Sequence, residues 1–123
     1  MEFLALRPVI WTEQLDKTLK FYTEILGFRC DERNNDWGWA SLHRDTTGIM
    51  LSKPNAHTAF TAPVFTGSFY FTVNEIWPLW EQVQNKVRVC YAPERFDWGM
   101  YEFGIYDNNG YLLQFGQEIA EIH

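Results

Sequence analysis

Three histidines and two cysteines are the side chains of this 123-residue chain best suited to metal binding or nucleophilic chemistry, and their spacing organises neither. His43 falls near a strand end, His57 in a connection containing Pro and Asn, and His123 at the terminus, so all three read as surface residues. Cys30 and Cys90 lack CxxC spacing and read as two buried, reduced thiols of a cytoplasmic protein, with a disulfide between them as the alternative. The richer chemistry is aromatic. Aromatic residues make up 18% of the chain, with 6 Trp. Such rings serve cores, interfaces and ligand clefts alike, and their faces stack on planar groups and attract cations. The formal net charge is −6, from 10 basic and 16 acidic residues. That balance argues against a nucleic-acid partner and suits a cationic ligand, although solubility alone also accounts for it. No apolar run approaches the ~20 residues of a membrane helix. The opening MEFLALRPV lacks the basic start and long apolar core of a signal peptide, so a cytoplasmic location is expected.

The elements that must carry these groups are written twice. Asp36-Trp37-Gly38 leads into WASLHR, a turn at Asp45-Thr46-Thr47-Gly48, and IMLS. Asp97-Trp98-Gly99 leads into MYEFGIY, a turn at Asp107-Asn108-Asn109-Gly110, and YLLQF. The two Asp-Trp-Gly triplets lie 61 residues apart and the two turn glycines 62, the signature of an internal repeat. Asn and Gly supply the positive φ that short hairpins need.

In each copy a strand and a helix precede the hairpin. Residues 3–11 form the first strand, with Pro8 marking an edge or an irregular start. Leu15, Leu19, Tyr22, Ile25 and Leu26 then recur at helical spacing, with Gly27 as the stop, and residues 28–33 make a short strand. The second copy runs as a strand over 68–73, a helix capped by Asn74 with apolar Ile76, Leu79, Trp80 and Val83, and a strand over 87–91. Trp80 is expected in the core and Trp77 partly exposed. The predicted organisation is a first module over 1–53, a linker over 54–67, a second module over 68–117 and a loosely ordered tail over 118–123, all in one structural domain.

A doubled β-α-β-β-β unit carrying FYTEILGF and WGMYEF…DNNGYLLQF resembles the vicinal-oxygen-chelate superfamily, which contains glyoxalase I, extradiol dioxygenases and bleomycin-resistance proteins. The resemblance covers nearly the whole chain. It implies an α+β fold of two tandem βαβββ modules whose curved mixed sheets enclose a cleft, completed in a homodimer. Metal-dependent members place His, Gln or Glu on the first strand and Glu on the last strand of each module. Carried over, those positions are Arg7, Ser68, Met50 (or Ser52, by the repeat register) and Gln114, of which none is His, Asp or Glu. The resemblance therefore implies no metal, no cofactor and no catalytic residue here.

Alternation along the strands extends those positions to a face. Arg7, Val9 and Trp11 share one side of the first strand, and Ser68, Tyr70 and Thr72 one side of the fifth. Trp39, Ser41 and His43, and Glu102, Gly104 and Tyr106, are the matching sets of the hairpins. The candidate ligand-binding residues are Arg7, Trp11, Trp39, Met50, Tyr70, Trp98, Glu102 and Gln114: aromatic walls with a few polar handles. Each has a plainer alternative. Glu102 either neutralises a cationic ligand or pairs with Arg7; Arg7 either does so or clamps an anion; Trp98 lines a cleft or anchors its turn; Met50 fills a packing gap. The expected function is metal-independent binding of a small molecule, such as sequestration of a cationic or aromatic antibiotic, as in the bleomycin-resistance branch. The alternatives are a divergent metal-dependent lyase, isomerase or dioxygenase, and a structural module whose aromatic surfaces serve association.

Overall fold

The computed structural model describes residues 1–57 and 59–120; His123 and the end of the expected tail lie outside the described residues. The chain divides into two compact units, Met1–Thr61 and Ala62–His123. Each is a βαβββ module.

In the first unit β1 (Val9–Trp11) enters α1 (Leu15–Lys20), which widens into a π-helical turn over Phe21–Ile25. Then come β2 (Arg29–Asn34), β3 (Trp39–Arg44) and β4 (Thr47–Ser52). The sheet order is β1-β4-β3-β2, with β1 parallel to β4 and the other pairs antiparallel. The second unit repeats it with β5 (Phe69–Thr72), α2 (Trp77–Val83), β6 (Arg88–Phe96), β7 (Met100–Tyr106) and β8 (Leu112–Glu118), in the order β5-β8-β7-β6. A parallel pair needs a long crossover, and the helix and hairpin between β1 and β4 supply it.

The cores follow the two periodicities. Ile10, Ala40, Leu42, Ile49 and Leu51 point from the first sheet to its helix, where Tyr22 is fully buried. Tyr22 packs edge-on against Phe21 and Phe28, with centroids 5.5 and 5.9 Å away. Phe103, Ile105, Leu113 and Phe115 face α2, with Trp80 5.2 Å from Phe103. Each of the larger apolar side chains among them contributes about 1.5–3 kcal/mol on burial. Trp77 is partly exposed.

Several expectations change. Asn74 does not cap α2: the helix starts from Ile76, with no side-chain cap, and the Ile76 N–H donates to Gln117 Oε1 at 2.7 Å. Pro78 in the first turn lets the helix begin later than the Asn, where β8 already offers an acceptor. Glu118, expected in the tail, belongs to β8. The first hairpin turn is also shorter than expected. Asp45, not Gly48, takes the positive φ (52°), and Gly48 pairs with His43 inside the ladder. In the second hairpin Gly110 does sit in the turn, whose Asn109, Gly110 and Tyr111 N–H groups all donate to Asp107 Oδ1 at 2.8–3.0 Å. Both cysteines are exposed rather than buried, because β2 and β6 are edge strands with much of their length in solvent. Strand β6 runs on to Phe96, five residues past its expected end, through register shifts at Val89/Tyr91 and Tyr91/Glu94. Bulges of this kind let a strand continue past Pro93.

Candidate ligand-binding site

The second sheet turns one face away from α2, and four of the predicted site residues meet on it. Glu102 is 4% exposed. Its Oε1 accepts from the Tyr70 hydroxyl and from the Trp98 indole N–H, each at 2.8 Å, and its Oε2 accepts from the Tyr91 hydroxyl at 3.2 Å. Gln114 donates from Nε2 to the Tyr91 oxygen at 2.9 Å and accepts from Ser68 on its own oxygen. One chain of hydrogen bonds thus runs from Ser68, just ahead of β5, through β8 and β6 to the centre of β7. Buried polar groups tolerate desolvation only when joined in this way.

Two glycines make room for it. A Cβ on Gly104 would lie 2.5 Å from Tyr91 Cε1, and one on Gly116 would collide with the Tyr70 hydroxyl. The Tyr91 ring therefore passes close over Gly104 on β7 and the hydroxyl end of Tyr70 over Gly116 on β8, where any larger residue would push them off. Desolvation, and then the hydrogen bond to Glu102 and its charge, hold the Tyr70 phenol far above its ordinary value of 10. Burial also raises Tyr91, opposed by the Gln114 amide that donates to its oxygen.

Trp98 stands at the rim. It is 66% exposed, yet its indole is tied to Glu102 and stacked on Phe96 with centroids 4.6 Å apart and planes 16° from parallel. It follows the last residues of β6 in a tight turn where Gly99 has φ +83°. The Gly99 carbonyl accepts the Ile119 N–H at 2.9 Å, fastening the turn to the end of β8. Beside it opens a cavity of about 570 Å³ lined by Trp98, Gly99, Met100, Glu118, Ile119 and Ala120. Its wall joins one aromatic ring, Trp98, to the smaller apolar residues Met100, Ile119 and Ala120 and to exposed polar groups, and among the described residues that line it Glu118, an exposed carboxylate, is the ionisable one.

The other predicted residues belong to the first unit and form smaller groups. Arg7 Nη1 donates to Ser41 Oγ at 3.2 Å, and its guanidinium carbon lies 3.4 Å from where a Gly48 Cβ would stand. Trp39 Nε1 points at Met50 Sδ, 3.4 Å away, and Trp11 packs edge-on to Phe60 at 6.0 Å. Trp37, in the first Asp-Trp-Gly turn, is as exposed as Trp98. Within the first unit Arg7 bonds Ser41, and within the second Glu102 takes Tyr70, Tyr91 and Trp98.

Pairing register also decides between Met50 and Ser52. Val9 pairs with Met50 as Tyr70 pairs with Gln114, so Met50 is the counterpart of Gln114. The four positions that hold a metal in metal-dependent members of the resembled superfamily are then Arg7, Met50, Ser68 and Gln114. A guanidinium repels a cation, a thioether is too soft for the hard or borderline metals concerned, and Ser68 and Gln114 are engaged with each other. This donor set does not fit. Among the described residues no three His, Cys, Asp or Glu side chains gather as a metal site.

Tyr91, Phe96, Met100 and Glu118 were not among the predicted site residues. Tyr91 had a signal, since it alternates with Val89 on a predicted strand. Phe96 and Glu118 had none, because the ends of β6 and β8 depend on bulges and pairing rather than on local pattern.

The sequence profile of the Glyoxalase/Bleomycin resistance protein/Dioxygenase superfamily matches residues 5–115. No curated protein matches the chain. Among solved structures, a protein of unknown function from Agrobacterium tumefaciens superposes with a TM-score of 0.81 at 16% identity, covering 97% of each chain. An integron cassette protein, HFX_CASS4, from the mobile metagenome of the Halifax Harbour sewage outfall gives 0.75 at 24% identity, over 94% of this chain and 99% of its own. A glyoxalase/bleomycin resistance protein/dioxygenase from Nocardioides gives 0.78 at 12% identity, over 100% and 92%. At these identities the likeness is one of fold. With the profile spanning both modules and their hairpins, the chain belongs to the glyoxalase/bleomycin resistance protein/dioxygenase superfamily.

Proposed function

We propose that this protein is a metal-independent binder of small molecules, taking a planar aromatic ligand that carries positive charge, and that sequestering an antibiotic of that kind is its role. The observation that carries this reading is Trp98, an exposed indole held still by a buried carboxylate and a stacked phenylalanine at the mouth of a cavity. A ring fixed in advance loses little freedom when a ligand stacks on it, and its face favours cations. Glu118 and the net charge of −6 favour the same ligands. Sequestration needs affinity and no chemistry; a micromolar constant corresponds to about −8 kcal/mol.

A second copy of the chain is the partner we propose. The exposed large apolar residues, including Trp37, Val64, Phe65 and Trp77, and the open edges of both sheets are surfaces that self-association would cover.

The test is a tryptophan-fluorescence titration with a bleomycin-type glycopeptide antibiotic in excess EDTA. Saturable quenching at about one ligand per chain, weakened by Trp98→Ala, supports the reading. A flat response up to high micromolar drug sinks the antibiotic hypothesis, and binding that EDTA abolishes sinks metal independence.

A further inference from the structure

Two carboxylates flank Trp98, and they differ in what they have left to offer. Glu102 is 4% exposed and already accepts three hydrogen bonds from the chain itself, two on Oε1 and one on Oε2. A carboxylate so engaged has little acceptor capacity for a ligand. Glu118 is exposed, pairs across the ladder with Met100, and lines the cavity.

Trp98 itself needs holding. It lies in a turn, two-thirds exposed, so the core does not fix its rotamer. Phe96 supports one ring face but leaves the indole free to slide in its own plane. The bond from Nε1 to Glu102 is what sets that remaining freedom. We propose that Glu102 is a positioning residue that fixes the Trp98 indole as the wall of the cavity, while Glu118 supplies the charge that selects a planar aromatic cation. The proposal deepens the function proposed above and rests on it for its ligand half.

The experiment has two arms on the full chain. In the first, indole ¹⁵N–¹H spectra are recorded for the wild type, Glu102→Ala and Glu102→Gln, with the Trp98 signal identified by its loss in Trp98→Phe. The Trp98 signal should move and its proton exchange faster with solvent in Glu102→Ala, and return toward the wild-type position in Glu102→Gln, whose amide oxygen still accepts. The other five indole signals report whether each variant is folded. An unmoved Trp98 signal in folded Glu102→Ala overturns the positioning role. If Glu102→Ala does not fold, the same reading is taken on Glu102→Leu, which fills the volume and removes the acceptor, and an unmoved Trp98 signal there does the same.

In the second arm, N-methylacridinium and neutral acridine are titrated at pH 8. The wild type should prefer the cation. Glu118→Gln should lose about three- to tenfold in cation affinity, falling toward that for acridine and losing its salt dependence. Glu102→Gln should keep the preference, and Glu102→Ala should weaken both dyes by about five- to tenfold. A preference abolished by Glu102→Gln and kept by Glu118→Gln overturns the assignment of charge. If neither dye binds the wild type, the ligand reading falls together with the role given to Glu118, and the spectra alone decide Glu102.

Discussion

A carboxylate buried on a sheet face must be solvated by the protein or it destabilises the fold, and Glu102 is solvated by two phenols and an indole. The arrangement has a consequence at high pH. Tyr70 and Tyr91 both ionise above the ordinary phenol value of 10 in the folded protein, Tyr70 chiefly through desolvation and its bond to Glu102. A group with a raised folded value contributes stability that is complete below the unfolded value and lost as pH rises toward the folded one. The urea midpoint should therefore hold to about pH 9.5 and then fall through pH 10–12. Tyr70→Phe should start lower, having lost a hydrogen bond, and fall less steeply. Parallel wild-type and variant curves over that range would remove Tyr70 from the effect. Alternation had put Tyr70, Glu102 and Gln114 on one face; it had no means of saying that Tyr91 would join them, since that contact needs Gly104 beneath the ring.

At the scale of the element, ends are decided by partners. Helix α2 has no capping side chain of its own, and the Ile76 N–H is served by Gln117, which lies forty-one residues further along on β8. Gln117→Ala should cost about 0.5–2 kcal/mol, the range of a lost N-cap, measured by urea unfolding. Asn74→Ala should cost almost nothing in the same assay. The reverse ranking would restore the capping role expected of Asn74. The helix-forming pattern was legible from its 3.6-residue spacing and the strand pattern from alternation, so the order β-α-β-β-β was recovered twice. The exposed cysteines were misread because residue type predicts burial only on average. An edge strand exposes whatever it carries.

At the scale of the molecule, the chain is two units of like topology, and among the described residues no helix is long and apolar enough to cross a membrane. The self-association proposed above predicts a weight-average mass near twice 14.6 kDa in sedimentation equilibrium at micromolar concentration. It should fall toward the monomer on dilution or when charges are introduced at Trp37 and Phe65. A monomer at every concentration would end that proposal.

Period, composition and turn chemistry are local properties, and from them the chain specified its superfamily, its element order and the faces of its strands. Other features waited on folding: Met50 as the counterpart of Gln114, a turn on Asp45 where a glycine was expected, and β6 running on to Phe96. So did the three donors around Glu102, and the cavity that joins the Trp98 turn to the end of β8. The reason is physical. Alternation tells which side of a sheet a residue faces, whereas which side chains meet there depends on cross-strand register, on bulges that shift it, and on glycines that permit close approach.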